Sequence, residues 1–123
     1  MSFNIEWKGS NVIVSFTKDF TYKDSYEVNN LIYGDSRFDS MKYQIADFSK
    51  IEKVEFTDEE IKIISTLEKS SAIWNNNMKS AIITSESVCL SFITEPYFEM
   101  MKSTNWEFKI FKNRIEAEKW CSE

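Results

Sequence analysis

The chain opens on two short runs in which apolar and polar positions alternate. Phe3, Ile5 and Trp7 form the first, Val12, Val14 and Phe16 the second, with Gly9 and Ser10 between them. A period of two marks strands with one buried face, and glycine at the first position of a two-residue connection suits a type II′ turn. The segment therefore predicts a β-hairpin. From Lys23 to Tyr33 the spacing becomes helical, with Tyr26, Leu31 and Tyr33 among the apolar positions and Gly34 where a helix C-terminus favours glycine. Tyr43 to Phe48 predicts a short strand, and Lys50 to Phe56 an intervening loop. Thr57, Asp58, Glu59 and Glu60 then spell a capping box, in which the threonine hydroxyl and the last carboxylate satisfy backbone N–H groups left open at a helix start. Behind it Ile61, Ile64, Leu67, Ser71 and Trp74 recur three or four apart, which predicts a core-facing stripe.

Ser80 to Thr84, built around Ala81, Ile82 and Ile83, predicts a strand covered on both faces. A third helix is expected from Ser87 towards Met101, kinked or restarted at Pro96. Phe108, Ile110 and Phe111 predict a last strand, and Arg114 to Trp120 a last helix with Ile115, Ala117 and Trp120 facing inward. Trp74 and Trp120, each closing an apolar stripe, are both expected in the core. The order ββαβαβαβα implies an α/β fold with a mixed, mostly parallel sheet, an N-terminal β-hairpin and about four helices. Strand order beyond the hairpin stays open.

Composition narrows the picture. The 123 residues make one domain, 1–123, and with two glycines and one proline there is no linker to divide it. A 42% hydrophobic fraction supplies the core without help from disulfides or metals. A net charge of −5 with lysines scattered singly argues against nucleic acid as a partner. No apolar run approaches the roughly 20 residues that span a bilayer, and the first residues do not read as a secretory signal. Cys89 and Cys121 do not form a disulfide framework, so a reducing cytoplasm is the expected location.

Three stretches carry a family resemblance. Tyr43 to Ser49 reads as a strand ending in D-x-S, Lys79 to Ile83 as a strand starting K-x-A, and Trp106 to Phe111 with Glu116 to Trp120 as a closing strand and an E-A-x-x-W helix. Together they resemble the small bacterial proteins of the SpoIIAA-like (STAS/SEC14-like) type. That resemblance implies the SpoIIAA-like fold over nearly the whole chain. It also implies a regulatory, protein-interaction role, because anti-sigma-factor antagonists of this fold switch partner binding by phosphorylating a serine after the third strand. Asp47, Phe48 and Ser49 hold that position here, without the glycine of the family's loop. The SEC14 side of the resemblance implies apolar ligands.

Catalytic chemistry is poorly supplied. Histidine is absent, which removes Ser-His and Cys-His pairs, His-containing zinc sites and the usual base near neutral pH. Two glycines cannot build a phosphate cradle or a dinucleotide fingerprint. No enzyme activity, metal or cofactor is therefore expected. Asp35 and Asp39 read as a solvated loop, Asp58 to Glu60 as acids complementing a helix dipole, and Cys89 as a small hydrophobe. Two candidate surfaces remain. One is the pole where strands end and helices begin, formed by Phe20 and Thr21, Asp47 to Ser49, and Thr84 to Ser87. The other is the aromatic and methionine cluster Tyr97, Phe98, Met100, Met101 and Trp106, as a ligand lid or a subunit interface unless it is core. The expected role is a non-catalytic cytoplasmic regulatory or protein-interaction module, with a small binding protein for an apolar or anionic ligand as the alternative. Homo-oligomers are compatible with either.

Overall fold

Residues 3–84 and 91–123 are described by a computed structural model. The hairpin forms as expected from β1 (Phe3–Lys8) and β2 (Asn11–Thr21), antiparallel, with Phe3 opposite Phe16 and Trp7 opposite Val12. Gly9 takes φ +62 at its turn, a conformation that costs a residue with a Cβ, and Ser10 does not share it. There follow α1 (Tyr22–Tyr33), a single 3-10 turn (Ser36–Ser40), β3 (Tyr43–Glu55), α2 (Asp58–Trp74), β4 (Lys79–Ile83), α3 (Ser91–Met101), β5 (Glu107–Phe111) and α4 (Arg114–Cys121). The five strands lie in sequence order, and every pair after the hairpin is parallel.

That order decides the layers. Right-handed crossovers that always step the same way across a sheet deliver their helices to one face. One core accordingly joins Val12, Val14, Phe16 and Phe20 to Val28 and Ile32 of α1, Ala72 of α2 and Met101 of α3. The other face carries a smaller core of Ile13, Ile45, Ala81 and Ile83, closed by Ala117 and Cys121 of α4. Ile45 and Ala81 occupy the central strands, covered on both sides, where a continuous apolar run is what burial demands.

Several expectations are corrected. The segment from Lys50 to Glu55, expected as a loop, continues β3, because Lys50 to Glu55 pair with Thr17 to Thr21 of β2 and bury Ile51. The ribbon is irregular: the register shifts between Ser15 and Thr17 and again between Lys18 and Asp19, with Lys18 at φ 60. On α1 the buried positions are Ser25, Val28 and Ile32, while Tyr26 and Leu31 face outward. Gly34 does cap α1, but in right-handed conformation; what requires glycine is room, since a Cβ there would lie 2.7 Å from the Asn30 carbonyl oxygen. On α2 the stripe rotates to Ile61, Ile64, Ser65 and Ala72, leaving Leu67 partly exposed and Trp74 75% exposed. Ile115 is likewise 80% exposed on α4, whereas Trp120 is half-buried against Phe111. Pro96 lies inside α3.

Candidate functional site

The two surfaces singled out in the sequence meet at one cavity. It has a volume of about 110 Å³ and lies between the sheet and the helices of the larger layer. Phe48 from the first group and Tyr97 from the second both line it. Its apolar wall is aromatic: Phe16 stacks on Phe48 with ring centroids 5.0 Å apart, and Phe20 packs edgewise on Phe16 at 4.8 Å and against Phe56 at 4.9 Å. These rings converge because Phe16 and Phe20 come from β2 and Phe48 from the bulged part of β3 opposite, where the extra residue re-aims the side chains.

The other end of the cavity is polar. Glu68 of α2 accepts hydrogen bonds from the Tyr97 hydroxyl at 2.7 Å and the Tyr33 hydroxyl at 3.1 Å. The Tyr33 oxygen is also 3.3 Å from Gln44 Oε1, and Gln44 Nε2 donates to Ser80 Oγ at 3.2 Å. A chain of polar groups thus runs from α2 and α3 through α1 to the middle of the sheet. Burial pushes the Glu68 carboxyl above the usual carboxylate range, against the opposing pull of Tyr97, Tyr33 and the Asn29 amide. Both tyrosine hydroxyls are held well above the usual phenol range by burial and then by the Glu68 charge. Asn29 Nδ2 is buried at the same place with no completed hydrogen bond among the described residues, although a buried amide normally finds a partner.

The remaining sequence candidates separate. Met101 is 1% and Trp106 5% exposed, so both belong to the core rather than to a surface; Trp106 Nε1 donates to the Asn75 carbonyl at 2.6 Å. Phe98 and Met100 are half-buried beside them. Asp47 and Ser49 are half-buried at the bulge, where the Asp47 carboxylate accepts from the Ser49 N–H at 2.9 Å. They therefore lie within β3 and not at its end, although β4 pairs with β3 only as far as Asp47. Thr84 follows β4, while Ser85 to Ser87 and Cys89 lie outside the described residues.

At the strand-end pole an open groove of about 420 Å³ lies among Thr21, Thr57 and their neighbours. Both threonines cap their own helices, and the first turns already hold Asp24 and Asp58 to Glu60. The dipoles there are complemented from within the chain, which disfavours an added anion. Asp35 caps the 3-10 turn and pairs with Arg37 at 2.9 Å, holding its carboxyl down to about 2, while Asp39 accepts from Trp74 Nε1. No three histidine, cysteine, aspartate or glutamate side chains converge as metal ligands among the described residues.

Sequence reasoning missed Glu68, Tyr33 and Asn29 as site residues. The available signal was Glu68 itself, a lone acid one position beyond Leu67 on the supposed inner stripe.

Sheet order, layering and hairpin define an α/β protein with a SpoIIAA-like fold. Its similarity to a solved structure is specific: an uncharacterised protein of the DUF3478 family with a SpoIIAA-like fold, from Shewanella loihica PV-4, superposes at TM-score 0.55 and 15% identity, over 97% of this chain and 91% of that one. At such identity the likeness speaks for fold. No family profile and no curated protein matches the sequence. No described helix is long and apolar enough to cross a membrane.

Proposed function

We propose that the protein is a non-catalytic module that binds a small, largely apolar ligand in the cavity between sheet and helices. The observation that carries this reading is the cavity itself, with aromatic rings at one end and the Glu68 cluster at the other. Binding sites are concave and mostly apolar, with a few polar groups that fix orientation. Catalysis is disfavoured because both phenol protons have Glu68 as a partner, so neither points as a free donor at a developing oxyanion. Histidine is absent from the sequence. The free, buried thiol of Cys121 suits a reducing compartment, and we place the protein in the cytoplasm on that ground.

Titration of ¹⁵N-labelled protein with propan-1-ol should move amide signals of Val28, Ile64 and Ile82, which line the cavity. Ser65→Leu should abolish those movements. Ser65 is buried in the lining and, among the described residues, its hydroxyl serves only its own helix, through the Ile61 carbonyl, so leucine adds apolar volume without breaking a tertiary hydrogen bond there. Unmoved cavity amides would overturn the reading.

A regulatory output is supported by Phe48, which lines the cavity while its neighbours Asp47 and Ser49 form the bulge. On this reading Ser49→Asp should weaken capture of a protein partner that Ser49→Ala retains. Identical partner profiles for the two variants would remove the switch and leave ligand binding.

A further inference from the structure

We propose that the cavity receives a small organic cation, a primary ammonium or amidinium on a short apolar body, with Glu68 as its counter-ion. This rests on reading the cavity as a ligand site. Among the described residues the groups that act on Glu68 are neutral donors: Tyr97, Tyr33 and the Asn29 amide favour its charged form. The lining contains no lysine or arginine. Every ion pair among the described residues involves other acids, on the outside of the molecule. The residues outside the described structure, 1–2 and 85–90, contain no lysine or arginine either.

A half-buried carboxylate without a counter-charge is costly, and the two tyrosine hydroxyls only partly offset that cost. The ligand that removes the imbalance is a cation. A neutral ligand leaves the charge as it was, and an anion adds a like charge beside it. The walls agree, because the faces of Phe, Tyr and Trp rings attract cations and ammonium-binding sites are commonly lined this way. Tyr33 and Tyr97 line the cavity at the Glu68 end, and Phe48 and Phe56 at the other end are left to meet the apolar body. Size sets the body: about 110 Å³ is less than the roughly 150 Å³ apolar cavity that admits benzene, which suits a body smaller than benzene, a chain of about three carbons.

Three probes with one body separate the possibilities: propylamine, propan-1-ol and propanoate, titrated at pH 7 by calorimetry and by ¹⁵N amide shifts. The amine should bind about tenfold more tightly than the alcohol, as a charge-assisted contact replaces a neutral one, and the carboxylate should not bind. Glu68→Gln should remove the amine's advantage over the alcohol. An alcohol or carboxylate that binds the wild type as tightly as the amine overturns the cation and leaves the cavity reading intact. An amine preference that persists in Glu68→Gln overturns Glu68 as counter-ion. If neither amine nor alcohol moves the cavity amides, both readings fall. The wild-type ranking needs no variant, so a poorly folded Glu68→Gln would not obscure it.

Discussion

Glu68 has a consequence for stability as well as for binding. In the folded protein its carboxyl titrates above the ordinary 4.5, because burial outweighs the hydroxyls of Tyr33 from α1 and Tyr97 from α3. Between 4.5 and the raised folded value, the native state holds this proton more tightly than the unfolded chain does. Stability from this group therefore falls as pH rises across that interval, and the loss is complete above it. Glu68→Gln, whose amide oxygen still accepts from the tyrosines, should be more stable than wild type at pH 7 and lose the advantage towards pH 4. Urea denaturation of both proteins over that range checks the sign; a difference that grows on acidification would contradict it. Thr57 is the simpler residue. Its hydroxyl accepts from the Glu60 N–H at 3.1 Å and the Glu60 carboxylate accepts from the Thr57 N–H at 2.8 Å. Thr57→Ala should cost about 1 kcal/mol in the same measurement.

At the scale of elements, the four helices are distinguished by which side each turns to the sheet. On α2 the buried face is Ile61, Ile64, Ser65 and Ala72, so Ile64→Ala should cost about 2–5 kcal/mol. Trp74→Ala, removing an exposed ring and one hydrogen bond to Asp39, should cost within about 1 kcal/mol. A loss for Trp74→Ala as large as that for Ile64→Ala would show the helix rotated. Elements of this fold were legible wherever a local rule was complete: the Gly9 turn, the capping box at Thr57, the apolar run of β4. Their faces were less so, because α2 carries Ile61, Ile63, Ile64, Leu67, Ile73 and Trp74 on more than one side, and only packing against the sheet chooses among them. The second half of β3 was hidden by Lys50, Glu52, Lys53 and Glu55, charged residues on a segment that pairs far away in sequence with β2. Half of the candidate site was legible for the same reason: Phe48 and Tyr97 stood out as aromatic, whereas Glu68 and Asn29 look like ordinary surface residues until α1 and α2 are brought together over the sheet.

Over the whole molecule the two layers are unequal. Three helices and most of the large side chains cover one face of the sheet, and α4 alone closes the other with Ala117 and Cys121. Two exposed ion pairs tie α4 to β1 at the sheet edge, Lys8 to Glu118 at 2.6 Å and Arg114 to Glu6 at 2.9 Å. Exposed pairs of this kind contribute little, so Glu118→Gln should lower stability by no more than about 1 kcal/mol, and still less in high salt. The thicker layer is the one that fails to close completely, leaving a mostly apolar cavity of about 110 Å³ that opens partly to solvent. A molecule that enters it removes apolar surface from water, and such burial carries a negative heat-capacity change. Calorimetric titrations repeated at several temperatures should therefore give binding enthalpies that become more negative on warming, a register of occupancy that needs no knowledge of which contacts are made.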